Sequence, residues 1–151
     1  MFRRLLPGLI GAFACAVAAR AADDSLARFD HVVVAPAKTS IYVGSVTMSF
    51  TPSTRQAGAY EADYTAKVFP YFFLGEKGKL TLEAPDETLR RLARGETVEF
   101  AGRGVSEDGK PRRFDGTATP IDATSGKLKV RAHVSTRIEL VFNMTYRFIP
   151  Q

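Results

Sequence analysis

From Arg137 to Phe148 every even position is apolar: Ile138, Leu140, Phe142, Met144, Tyr146 and Phe148. The odd positions hold Arg137, Glu139, Asn143, Thr145 and Arg147, with Val141 the exception. Successive side chains of a strand point to opposite faces, so this spacing buries one face and wets the other. A helix would scatter the apolar set around its axis. Lys127 to Val134 repeats the scheme, with Leu128, Val130, Ala132 and Val134 on one side and Lys127, Lys129, Arg131 and His133 on the other. Ser135-Thr136 reads as the turn that joins the two segments into an antiparallel hairpin.

The same period runs back through the chain. Tyr60, Ala62, Tyr64, Ala66 and Val68 oppose Glu61, Asp63, Thr65 and Lys67, and Tyr42, Gly44, Val46, Met48 and Phe50 oppose Ser45, Thr47 and Ser49. Asp30 to Ala35 is a shorter strand that Pro36 stops. Tyr71 to Leu74, a loop at Gly75 to Gly78, and Lys79 to Glu83 read as another hairpin, with Pro70 at a bend or sheet edge. Glu96 to Val105 and Arg112 to Ile121 flank a turn at Asp108-Gly109. One segment departs from alternation. Pro85, Asp86 and Glu87 suit a helix N-terminus, Leu89, Leu92 and Ala93 make a narrow apolar stripe, and Gly95 suits a left-handed C-terminal cap. The expectation is a mainly β chain: an antiparallel β barrel or sandwich of about nine strands, with one short helix over about 86–94 packed on an end or edge.

Ahead of this domain, residues 1–21 read as a secretory signal peptide. Arg3 and Arg4 form a basic start, Leu5 to Ala19 is uncharged and largely apolar, and Ala19-Arg20-Ala21 offers small residues for cleavage before Ala22. The apolar run contains Pro7, Gly8 and Gly11 and is shorter than the roughly 20 residues that span a bilayer. Cys15, after Ala12-Phe13-Ala14, raises the alternative of a lipid-modified cleavage site; the bulky Phe13 and the apolar residues beyond the cysteine stand against it. Residues 22–29 form a polar lead-in, and 30–149 a single β domain. The expected location is periplasmic or extracellular. Cys15 is the chain's only cysteine, so a processed product has none, which excludes thiol catalysis, thiolate metal sites and disulfide frameworks together.

Loss of the leader also changes the charge. The chain has 21 basic and 16 acidic residues, and three of the basic ones, Arg3, Arg4 and Arg20, lie within the leader. What remains carries 18 against 16, or +2, too little for the basic footprint of a nucleic-acid-binding protein.

The inward positions mix large rings with very small residues, among them Gly44, Ala62, Gly102, Gly104 and Gly116. One reading is jigsaw packing, in which small residues accept rings from facing strands. The other is a cavity lined by Tyr42, Tyr60, Tyr64, Phe100, Phe142 and Tyr146, whose phenols need partners once buried. The strand-rich exported layout is similar to that of lipid-binding barrels such as the lipocalins and the YceI-like periplasmic proteins. That similarity rests on layout and leader alone: no motif of either family is present, and the lipocalin Gly-x-Trp needs a tryptophan the chain lacks.

The functional expectation is an exported, non-enzymatic β module, with a small apolar or amphipathic, lipid-like molecule as its ligand. A first alternative is a small integral outer-membrane barrel, turned so that Glu61, Asp63, Lys67, Lys129, Arg131, Glu139 and Arg147 form a charged lumen. A second is a structural or interaction protein of the cell envelope without a ligand. Enzymatic chemistry has little to draw on. There is no Gly-x-Ser-x-Gly elbow, His-Glu-x-x-His or phosphate loop. The two histidines, His31 and His133, are about a hundred residues apart in no ligand spacing. No cofactor or metal is expected.

Overall fold

The computed structural model describes residues 26–150; the leader, Cys15 and the first residues of the lead-in lie outside them. Ten strands and one helix follow in order: β1 (His31–Val34), β2 (Ala37–Ile41), β3 (Gly44–Phe50), β4 (Ser53–Gln56), β5 (Ala59–Phe69), β6 (Glu76–Glu83), α1 (Asp86–Ala93), β7 (Val98–Ser106), β8 (Pro111–Pro120), β9 (Ser125–His133) and β10 (Glu139–Phe148). All pairings are antiparallel. The sheet closes into a barrel because β5 pairs with both β4 and β6, and β1 with both β4 and β10.

Two prolines explain why there are ten strands where eight close the ring. β1 pairs with β4 (Val32↔Ser53) and β2 with β3 (Ala37↔Met48) in one continuous register. They are therefore the two halves of a single hairpin, interrupted at Pro36 on one arm and Pro52 on the other, since proline cannot donate to a ladder. Against β5 the second arm gains a residue: between Phe50↔Tyr64 and Thr54↔Glu61, three positions face two. This is a β-bulge, which bends the strand as a closing barrel requires.

The eight-stranded ring is an up-and-down meander with its connections gathered at two ends. One end is plugged. Leu89 and Leu92 of α1 pack into it beside Leu26, Phe29, Tyr60, Tyr146 and Phe148. A helix of two turns has no stability alone, and α1 is held by this burial and by Arg55 on β4. The Arg55 guanidinium donates to the Ala84 carbonyl at 2.8 Å and to the Asp86 carboxylate at 2.6 Å. Gly95, with φ +82°, closes the helix in the left-handed conformation open to glycine. The other half of the bore is filled by Val46, Met48, Tyr64, Phe114, Val130, Phe142 and Met144.

Several expectations need correction. Tyr42 and Val43 form the β2–β3 turn and are exposed instead of pointing inward. Val134 and Ile138 lie exposed in the β9–β10 connection, a five-residue loop longer than Ser135-Thr136, so inward alternation begins only at Leu140. Tyr71 to Leu74 is no strand: β5 runs on to Phe69, β6 starts at Glu76, and Phe72–Leu74 is a single 3-10 turn between them. Leu26 and Phe29, at the end of the segment read as a polar lead-in, are buried in the plug. The charged-lumen alternative fails on orientation. Glu61, Asp63, Lys67, Lys129, Arg131, Glu139 and Arg147 are all exposed on the outer wall, and the apolar set fills the bore. A lipid-facing wall would need the reverse.

Candidate functional site

The six residues expected to line a ligand cavity do not form one. Tyr42 stands outside the barrel, fully exposed. Tyr60 and Tyr146 belong to the plugged half, Tyr64 and Phe142 to the other half, and Phe100 is half-buried against the latter. The small residues explain where the rings go. Strand register sets Tyr64 opposite Gly78, Phe100 opposite Gly116, Phe114 opposite Gly102 and Tyr146 opposite Gly126. A Cβ at Gly78 would fall 2.7 Å from the Tyr64 ring, and one at Gly126 2.4 Å from the Tyr146 hydroxyl. Gly78, Gly104, Gly116 and Gly126 are recesses occupied by the rings of Tyr64, Phe114, Phe100 and Tyr146, and Gly102 meets Leu80 and Leu82, so the bore is packed. Clefts run over the outside instead, one of about 630 Å³ beside Ala35 and Pro36 among Thr117, Lys127, Lys129 and Asn143.

Two of the three buried phenols are hydrogen-bonded within the barrel. Tyr60 donates to the Phe29 carbonyl and Tyr64 to Glu76 Oε2 at 3.0 Å. Burial pushes both hydroxyls above the ordinary tyrosine range, which keeps them neutral donors. The Tyr146 hydroxyl, pushed up to about 12 by burial and by Asp122, is buried with no hydrogen-bond partner among the described residues.

The end opposite the helix carries an inward ion pair instead. Glu76 opens β6 and Arg112 lies near the start of β8, both on inward positions. Arg112 Nη2 donates to Glu76 Oε1 at 2.8 Å and its Nε to both carboxylate oxygens at 3.1 Å, while Nη1 reaches the Val134 carbonyl at 3.2 Å. Burial of the Glu76 carboxyl opposes its charge, but hydrogen bonds from Arg112 and Tyr64 outweigh it and hold the pKa below the usual glutamate value. This charged crossbar reaches from β6 to β8 over the inward face of β7, a bidentate pair with fixed geometry. The barrel thus carries a helix at one end and an inward ion pair near the other.

Beyond the crossbar lies the feature that sequence reasoning missed. Among the described residues, all the exposed large apolar side chains except Ile121 and Ile149 sit at this end. Phe72 is 67% and Phe73 82% exposed. The β2–β3 turn and the β5–β6 connection carry most of this apolar surface, and they touch: the Gly44 backbone lies so close to the Phe69 carbonyl and the Pro70 ring that a Cβ would overlap them. Phe69 and Phe72 meet edge to face at 5.9 Å, as do Tyr71 and Phe73 at 6.0 Å. A cleft of about 500 Å³ runs beneath Phe72, between Lys67, Glu76, Lys77, Glu107 and Asp108. The signal was present in the sequence as an unbroken run, Tyr71 to Leu74, with no polar alternates. A strand wetted on one face would carry them.

The two histidines lie at opposite ends of the barrel. His133 Nε2 lies 2.6 Å from Asp115 Oδ2 on the outer wall, and no hydroxyl bonds to its ring among the described residues. His31 meets Thr54 Oγ1 at 3.2 Å on β1, at the helix-plugged end, whereas His133 ends β9 near the rim. The two cannot share an ion, and no group of three or more His, Cys, Asp or Glu among the described residues could hold a metal. Comparison with protein-family models, with curated proteins and with solved structures finds no match for this chain.

Proposed function

We propose that this protein is an exported, non-enzymatic docking module that binds through the aromatic rim of its barrel and encloses no ligand. The observation that carries the reading is the segregation of exposed apolar surface onto the rim, above a bore whose recesses are filled by rings. Single exposed apolar residues are ordinary on any surface, but a contiguous patch on touching loops marks a contact surface. Folding does not require it: Phe72 and Phe73 contribute little to the core and remain in water.

An apolar fluorescent probe such as bis-ANS, titrated into the purified chain, tests this against the enclosed-ligand reading. The probe should bind the native protein, and the double variant Phe72→Ser/Phe73→Ser should lose most of that binding while melting at an unchanged temperature. Native mass spectrometry should give the mass of the bare polypeptide. Probe binding indifferent to the rim, together with a co-purified lipid, would return the ligand to the bore and overturn the proposal.

A further inference from the structure

The charges around the rim point to its occupant. Lys67 and Lys77 flank Phe72 in the cleft beneath it. Lys110 and Arg113 follow the β7–β8 turn, and Arg137 lies in the β9–β10 loop, all three exposed at the same end. None of these five cations has an ion-pair partner within 4.0 Å among the described residues. Of the acids nearby, Glu76 is paired with Arg112 and Glu139 with Arg131, while Glu107, Asp108 and Asp115, the last hydrogen-bonded to His133, offset part of the belt. The rim therefore presents projecting aromatic tips together with five exposed cations set against three acids.

We infer that the rim docks on a lipid surface bearing anionic headgroups, with Phe72, Phe73 and Tyr42 entering the interface and the lysines and arginines facing the phosphates. This rests on the docking reading above and names its partner. Rings at loop tips match the level at which aromatic side chains settle in a bilayer interface. Basic residues at the same end of the barrel face the same surface potential, where each adds attraction. A second copy of the chain fits less well, because a two-fold contact through the rim would set the two cationic belts against each other.

Flotation of the purified chain, without its leader, with vesicles of phosphatidylcholine alone and of phosphatidylcholine mixed with phosphatidylglycerol tests the inference. Binding should favour the mixed vesicles and weaken as salt is raised. Phe72→Ser/Phe73→Ser should lower the partition coefficient roughly tenfold or more. Lys77→Glu/Lys110→Glu should lower it by about fivefold or more per charge, while Lys129→Glu on the outer wall should leave it nearly unchanged. No binding to either vesicle, or binding untouched by the rim substitutions, overturns the inference. If vesicles fail while sedimentation shows a dimer abolished by Phe72→Ser/Phe73→Ser, the occupant is a second copy and the docking reading survives. Loss of both vesicle and bis-ANS binding to the native chain removes both.

Discussion

Phe142→Ala asks most directly whether the barrel is filled. Phe142 is the central side chain of β10, with 0% exposure, and packs with Val130, Ala132, Met144 and Tyr64 in the rim-side half of the core. Truncation to alanine removes the ring from a site whose neighbours belong to hydrogen-bonded strands on both sides and cannot collapse inward without breaking ladder bonds. The lost transfer free energy and the residual cavity therefore add, for an expected loss of about 3–5 kcal/mol. For a domain of this size that lowers the melting temperature on the order of 10–20 °C. Urea unfolding followed by far-ultraviolet circular dichroism gives the free energy, with the slope checked for constancy so that a midpoint shift reports stability alone. A loss of about 1 kcal/mol or less would refute the argument. It would mean that the ring already borders empty space, as a ligand cavity requires.

Three further outcomes follow from the packing and the ion pairs. Gly126→Ala puts a methyl group where the Tyr146 hydroxyl and the Thr119 carbonyl already stand, 2.4 and 2.5 Å from the new Cβ; thermal unfolding should show about 1–3 kcal/mol of destabilisation, and an unchanged midpoint would show that the Tyr146 ring can swing aside. Leu89→Ala, which hollows the helical plug, should cost about 2–5 kcal/mol and speed amide exchange in α1; protection equal to the native chain would deny the helix its role as a stopper. Glu76, Asp86 and Asp122 all have pKa values held below their ordinary ones, so the unfolded chain takes up protons first as the solution is acidified. Their stabilisation is complete above the unfolded carboxylate range and is lost as pH falls through the folded values. The urea midpoint should hold from neutrality to about pH 5 and decline below it, with a shallower decline in Glu76→Gln; a midpoint that rises on acidification would contradict the sign.

The filled barrel bears on what such a chain can do. Hollow barrels of eight strands hold a small molecule only if their interior positions leave room for it. Here the room left by Gly78, Gly116 and Gly126 is taken by Tyr64, Phe100 and Tyr146. On the docking reading proposed above, recognition falls to the outside, at the aromatic rim.

Much of the architecture could be read from the chain alone. Alternation in β5, β9 and β10 fixed which side chains face inward, because a strand has a period of two whatever its surroundings. The helix over 86–93 was legible because its caps and stripe act within a single turn. Pro36 marked the end of β1 correctly for the same local reason. Two matters needed the tertiary structure. Closure of the ring depends on β1 meeting β10 and β5 meeting β6, and no local pattern distinguishes a closed barrel from two facing sheets. The rim depends on which turns end up side by side. Tyr42 and the run from Tyr71 to Leu74 lie some thirty residues apart, and both look like core by composition. Only the register that seats Gly44 against Phe69, and the closed bore that leaves no space for them, turns those side chains out into water.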